Sequence, residues 1–356
     1  MLRMSTATEL GLGIAGRPSR RTWCAAFAAF AVAAGLGAGP ALAEQTIRLG
    51  HANPQNPQTN TAAAMSSVFK GSLEQASRGD IKVSIFPASQ LGREREMMEA
   101  VRLGSVHAVI ISEGTTVNFF QPMEVLGIPY IFPSIEVAWK VADGPFGQMM
   151  FDEFRKATGI RILATAPPGG FRNFGTNKEI KSAADLKGQR IRTMEHPVHQ
   201  AMMTALGASP TPVAFSEVYS AVKSGIVDGL ELPYAQILNM KLNEVIKNVV
   251  ADEHLFNQEM LFVNDRWFSS LSPENQKAVL KAGRDAQTAG RGVALVNDYA
   301  GPEKLRELGI NVYYPTEQEK LSFKELAQPP VLEMMRKRVD PKWVDGLVKA
   351  VDEASK

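Results

Sequence analysis

The sequence predicts an α/β protein of two similarly built lobes. From Gln45 onward, short β-branched runs alternate with longer amphipathic ones, as in an α/β domain whose helices cover a mostly parallel sheet. A second alternating block opens near Ile160. The length, 356 residues, suggests two units at roughly 150 residues each. Hydrophobic residues make up 45% and charged residues 21% of the chain, which fits a globular class and excludes disordered and collagenous ones.

Residues 46–50 read as the first strand, 61–75 as a helix, 81–86 as a strand, 94–103 as a helix and 108–112 as a strand. Arg78-Gly79-Asp80 fits the turn between helix and strand better than it fits an adhesion tripeptide. The second block runs through strands at 160–164 and 189–193, a helix at 198–206 and a strand before Phe215. Residues 259–263 give one more strand. A long helix at 272–299, with Pro273 near its start, exceeds what a crossover needs. After Val312-Tyr313-Tyr314 the chain is helical, with Phe323, Leu326, Val331, Leu332, Met335 and Val339 close to helical spacing and mostly core. Residues 119–132 and 164–170 are the expected passages between lobes.

The N-terminus has the three parts of an export signal. Arg17, Arg20 and Arg21 precede an apolar, alanine-rich stretch, and Ala41-Leu42-Ala43 supplies an A-x-A site just after the helix-breaking Pro40. Residues 1–43 are therefore read as a signal peptide cleaved after Ala43, which places the mature chain in the periplasm. Ser19-Arg20-Arg21-Thr22-Trp23 partly resembles a twin-arginine signal, so two export routes stay open. Of 39 basic and 37 acidic side chains, cleavage removes Arg3, Arg17, Arg20, Arg21 and Glu9, which leaves the mature chain close to neutral. Such a chain has no excess cation with which to neutralise a phosphate backbone, so nucleic acid is not an expected partner. Cleavage also removes Cys24, the one cysteine, and with it any disulfide, thiolate ligand or thiol nucleophile.

Chemical motifs are sparse. Gly11-Leu12-Gly13-Ile14-Ala15-Gly16 matches a dinucleotide fingerprint but follows no strand and lies in the leader. The common hydrolase, phosphate-loop, zinc-protease and EF-hand signatures are absent, and no cofactor is implied. His196 and His199 have a spacing that could reach one metal, yet no third ligand is evident, and Pro197 suits the first position of a helix. Arg172 follows the Gly169-Gly170 turn. Arg190 and Arg192 alternate with the core-facing Ile191 on a strand. These arginines are either plain surface cations or, if Arg192 ends its strand at a crevice, a planar fork that holds a carboxylate with two parallel bonds.

Four strings carry a resemblance. They are Phe86-Pro87-Ala88-Ser89-Gln90-Leu91-Gly92; Ser182-Ala183-Ala184-Asp185-Leu186-Lys187-Gly188 leading into Ile191-Arg192; Leu206-Gly207-Ala208-Ser209-Pro210-Thr211-Pro212; and Ser216-Glu217-Val218-Tyr219 with Val227-Asp228-Gly229. In this order the chain from 46 to 350 resembles the solute-binding proteins of tripartite ATP-independent periplasmic (TRAP) transporters, the DctP-like family.

The resemblance implies a periplasmic-binding-protein-like flytrap of two α/β lobes closing on an organic acid, braced by long helices. Lobe 1 would take about 44–165 plus part of 250–300, and lobe 2 about 166–249 plus the C-terminal helices. Arg192 matches the family arginine that clamps the ligand carboxylate, and Arg172 matches a second ligand-facing arginine. Glu231 and His254 match the pair that braces the clamp, Phe215 an aromatic that packs on ligand, and Glu94 an acidic position of the first lobe. His51, Ser112, Glu195, Leu232 and Tyr234 complete the expected ligand shell.

Three departures bear on the ligand. Leu232 replaces an asparagine, Ser112 a glutamate and His107 an aspartate, all of which argue against sialic acid. The run from Arg192 to His199 is similar to that of hexuronate-binding members, so a sugar acid leads. Leu232 argues instead for a less hydroxylated ligand, such as a short hydroxy or keto acid, a dicarboxylate or an aromatic carboxylate. The implied partners are the small and large membrane subunits of the transporter, with the binding protein itself a monomer and no enzyme. The rival class is a secreted sugar-acid lyase or hydrolase using Glu94, Glu195 or a histidine as base. A sensor subunit is a third reading.

Overall fold

The computed structural model describes residues 45–356, so the leader and the cleavage point after Ala43 lie outside the described residues. Two mixed sheets organise them. The first contains β1 (Gln45–His51), β2 (Ile81–Phe86), β3 (Ala108–Ser112), β4 (Ile160–Ala166) and β10 (Glu259–Asn264), in the order β2-β1-β3-β10-β4. The second contains β5 (Phe171–Thr176), β6 (Arg190–Thr193), β7 (Ser209–Pro212), β8 (Gly229–Leu232), β9 (Asn248–Phe256) and β11 (Asn311–Tyr313), in the order β11-β9-β5-β8-β6-β7.

Helix α1 (Thr61–Ala76) starts where the Asn60 side chain accepts the Ala63 N–H, and it buries Ala62, Met65, Phe69 and Leu73 at helical spacing. It ends in a turn in which Arg78 and Gly79 take positive φ, which accounts for the Arg78-Gly79-Asp80 string as structure. Helix α2 (Glu94–Leu103) buries Met97, Met98 and Val101 and stops at Gly104, whose φ of +83° is a left-handed cap.

The sheets are less parallel than the alternation predicts. Strand β10 is antiparallel to both β3 and β4, and β5 is antiparallel to both β8 and β9. The cause is the lobe-to-lobe connections. β4 leads into β5 through residues 167–170, and β9 leads into β10 through 257–258. A strand delivered across by so short a link has no helical crossover to turn it round, so it pairs antiparallel. These two links and one long helix carry the chain between the two sheets. Residues 119–132 are not a passage: the chain goes on through two helices (Ile135–Asp143 and Pro145–Thr158) and returns to the first sheet as β4.

The long helix, Pro273–Glu307, runs 35 residues, about 50 Å at 1.5 Å per residue. It lies on α1 and β4 in its first half and on the helix Tyr234–Asn239 and β11 in its second. It runs past the expected end near Tyr299 because Pro302 removes only one N–H. The following turn is held by Leu305 in the core and by Gly301 against Tyr234, where a Cβ would come within 2.5 Å. The helix Glu317–Arg338 buries Phe323, Ala327, Val331 and Met335 in one stripe. Leu326 is half exposed and falls outside it. The last helix, Pro341–Ala354, lies against the two helices of 135–158. No helix among the described residues is long and apolar enough to cross a membrane.

Candidate functional site

A cleft of about 240 Å³ opens where the carboxyl ends of β1, β2 and β3 face those of β6 and β7. Its first-lobe wall is hung on the end of β1. The Ala88 N–H donates to Asn53 O (2.9 Å) and the Ser89 N–H to His51 O (3.1 Å), with Ala88 and Ser89 at φ of 51° and 59°. Two consecutive non-glycine residues in that region cost of order 1 kcal/mol each, and the hydrogen bonds to β1 hold them there.

Arg192 lines the second-lobe wall and is only 2% exposed. Alternation on β6 places Ile191 in the core, Arg190 outside on Asp228, and Arg192 towards the cleft. Its Nε and Nη2 donate to Val213 O at 2.9 and 2.7 Å, and no carboxylate among the described residues is within ion-pair distance. Burial, with Arg172 nearby, pushes its pKa down to about 10, so it remains a cation at neutral pH.

Arg172 on β5 is fully buried and already paired. Nε and Nη2 donate to the Glu231 carboxylate, the latter at 2.8 Å, and Nη2 also reaches Glu231 O at 2.6 Å. Burial alone would raise Glu231, but Arg172 and His254 together hold it well below the usual carboxylate range. His254 Nε2 lies 3.6 Å from Glu231, its Nδ1 donates to Asp252 at 2.9 Å, and its ring stacks on Phe174 at 4.3 Å. Burial would lower His254, yet Asp252 and Glu231 outweigh it and raise its pKa. The pair expected to brace the clamp thus lies beside Arg172, directly behind the cleft wall.

Glu94 enters the cleft from the start of α2. Its carboxylate accepts from the Ser112 N–H (3.3 Å) and the Thr115 hydroxyl (3.0 Å), and burial raises its pKa. Phe215 and the exposed Glu195 also line the cavity. The remaining expected residues do not reach its surface. His51 is buried on Gln55, at 2.6 Å. Ser112 is buried, accepting from Asn257 at 3.2 Å. Leu232 packs in the second-lobe core, and Tyr234 lies beneath Gly301 of the long helix.

Residue-type reasoning missed Arg93, Arg95 and Thr115 on the cleft wall and two carboxylates behind it, Glu113 and Glu259. Burial pushes Glu113 up to about 7, and burial together with Glu94 pushes Glu259 up to about 8. A glutamate one residue beyond the wholly apolar Ala108–Ile111, or directly before the apolar Met260–Val263, was the available signal. His196 and His199 stack at 4.2 Å. His196 Nδ1 accepts the Val198 N–H and so caps the helix Pro197–Ala205, with Pro197 in its first turn. No three potential metal-ligand side chains converge among the described residues.

The family description "Bacterial extracellular solute-binding protein, family 7", DctP, matches residues 49–338. The chain belongs to this family. A solute-binding protein of Verminephrobacter eiseniae is 34% identical over 76% of this chain and 80% of its own. A TRAP periplasmic solute-binding protein from Polaromonas sp. JS666, bound to D-erythronate, has a TM-score of 0.80 at 30% identity and covers 86% of this chain and 98% of its own. One from Sulfurospirillum deleyianum with bound succinate has a TM-score of 0.80 at 27% identity, covering 87% and 99%. The DctP-family chain described here is therefore a TRAP solute-binding protein with a two-lobe α/β fold, of a family that binds small organic acids and works with membrane permease components.

Proposed function

We propose that this protein captures a sugar acid in the periplasm, holds its carboxylate on Arg192, closes, and delivers it unchanged to the membrane subunits of its transporter. The observation that carries this reading is a buried arginine facing a small cleft with its fork on a carbonyl and no acid partner. Two parallel charge-assisted bonds to a carboxylate satisfy such a fork. The cleft is below the roughly 300–1,000 Å³ of drug-sized pockets, which suits a small acid.

Hydroxyls have partners on the opposite wall. Glu94, Thr115, Ser89 and Asn118 line the cleft, while Phe215 and Val213 supply apolar contact for a carbon chain or ring face. Leu232 lies in the core, so it takes no polar partner away from the ligand, which favours a hydroxylated acid over an aromatic one. The likeness to a D-erythronate-bound relative supports the same class.

A thermal-shift screen of the purified protein against tetronates, hexuronates, hydroxy acids and aromatic acids tests the reading, because a ligand of the folded state raises the melting point by mass action. A shift with a sugar acid that disappears in Arg192→Ala is the expected result. Mass spectrometry of the recovered acid separates capture from catalysis: a changed mass would favour the sugar-acid enzyme.

A further inference from the structure

Three arginines and three glutamates line the cleft: Arg93, Arg95, Arg192, Glu94, Glu96 and Glu195. Their pairing is unequal. Arg93, at the start of α2 in the first lobe, pairs with Glu217 of the second, and Arg95 pairs with Glu195 of the second at 3.6 Å. Both pairs bridge the lobes at the mouth, with side chains 48–65% exposed. The start of α2 is occupied too, because the Arg93 N–H donates to Glu96 at 2.9 Å. Among the described residues, Arg192 is the one cation lining the cleft without a carboxylate in ion-pair range.

We infer that Glu195 and Glu217 make the cleft selective for acids with a single carboxylate, by neutralising Arg95 and Arg93 and leaving one free cation. This rests on Arg192 as the carboxylate site. An acid seated on Arg192 extends towards a first-lobe wall that carries Glu94. A hydroxyl there donates to Glu94. A second carboxylate meets the like charge of Glu94 and finds both mouth arginines already engaged, so it stays unpaired or must displace Glu195 or Glu217 from its exposed pair. Discrimination therefore comes from repulsion at the far end as much as from attraction at Arg192.

Titration calorimetry on the purified protein with D-erythronate and meso-tartrate tests this. The two differ in whether the terminal carbon is an alcohol or an acid, and galactonate with galactarate forms a larger pair. The native protein is expected to prefer the monoacid of a pair by at least about tenfold. Glu195→Gln combined with Glu217→Gln frees both mouth arginines and should narrow that preference by about tenfold, and raised salt should narrow it in the native protein by screening the exposed charges. Both side chains are exposed, so an unchanged melting temperature verifies the fold of the variant. Equal affinities in the native protein, or an unaltered ratio in the variant, would overturn the inference. Binding by no acid of either kind, or binding that survives Arg192→Ala, would instead defeat the reading beneath it.

Discussion

Arg172 and Glu231 meet across the antiparallel pair β5–β8, guanidinium to carboxylate, with neither side chain reaching solvent. Arg172 Nη2 also donates to the Glu231 carbonyl, while Nη1 makes no hydrogen bond among the described residues. Arg192 lines the cleft and Arg172 does not, and Glu231 balances the buried charge of Arg172. Arg172 with Glu231 supports the wall, and Arg192 is the arginine of the two whose side chain lines the cleft.

Glu231→Gln leaves Arg172 buried without its counter-charge. Breaking such a pair from one side costs about 3–5 kcal/mol. A large fall in melting temperature is expected by calorimetry or circular dichroism. A loss within 1 kcal/mol or so would mean that the pair is not the support described.

Arg192→Lys keeps the charge and loses the fork. An ammonium cannot reproduce two parallel bonds to a carboxylate, and binding should weaken by at least about tenfold. Calorimetric affinity for whichever acid stabilises the native protein measures this, and an unchanged value would remove Arg192 from the role of clamp.

The first lobe was legible because its elements announce themselves locally. The strands Gln45–His51 and Ile81–Phe86 alternate apolar and polar residues, and α2 ends on Gly104. Among the antiparallel strands, Glu259–Asn264 was legible from its apolar run, whereas β5 and β9 were not, because they exist through pairing with each other and β9 carries Asp252, Glu253 and His254. Arg192 followed from alternation with Ile191. The same rule applied to β8 sets Leu230 and Leu232 on the face opposite Glu231, so a cleft position for Leu232 was at odds with the strand period. The Arg93–Glu217 and Arg95–Glu195 pairs join positions about a hundred or more apart in sequence, which no local pattern announces.

Stability should peak in mildly acid solution. Burial and Arg172 push His196 down to about 3, and burial and His196 lower His199, from an ordinary 6.5. The unfolded chain takes up these protons first, so this stability is present above pH 6.5 and is lost as pH falls towards 3. Glu113 and Glu259, raised from 4.5 to about 7 and about 8, keep protons that the unfolded chain releases. Their contribution is full below pH 4.5 and is lost as pH rises through 7 to 8. Between 4.5 and 6.5 the trends oppose each other; below 4.5 the two histidines act together with the lowered Glu231, and above 6.5 the two glutamates act together with the raised His254, by about 1.4 kcal/mol per pH unit for each proton. Melting temperature against pH should therefore fall on both sides, and Glu259→Gln should flatten the alkaline side only. A steady rise from pH 5 to 8 would contradict these assignments.

Gly170→Ala tests the passage between lobes. Gly170 stands in the link from β4 to β5 at a φ of +88°, where an L side chain is strained, and an added Cβ would lie 1.8 Å from the Asp298 carboxylate of the long helix. The link thus passes directly beneath that helix, and either the link or Asp298 must move to admit a methyl. Backbone strain alone costs about 1–3 kcal/mol, and the clash adds to it. The substitution should lower the melting temperature. It should also weaken acid binding, because β5 begins at the next residue, Phe171, and Arg172 with its Glu231 pair follows immediately. Gly159→Ala, at φ +71° with open space around its Cβ position, is the control: it carries the backbone strain without the clash and should cost less. Equal effects at the two glycines would show that the Asp298 contact contributes nothing to positioning the link.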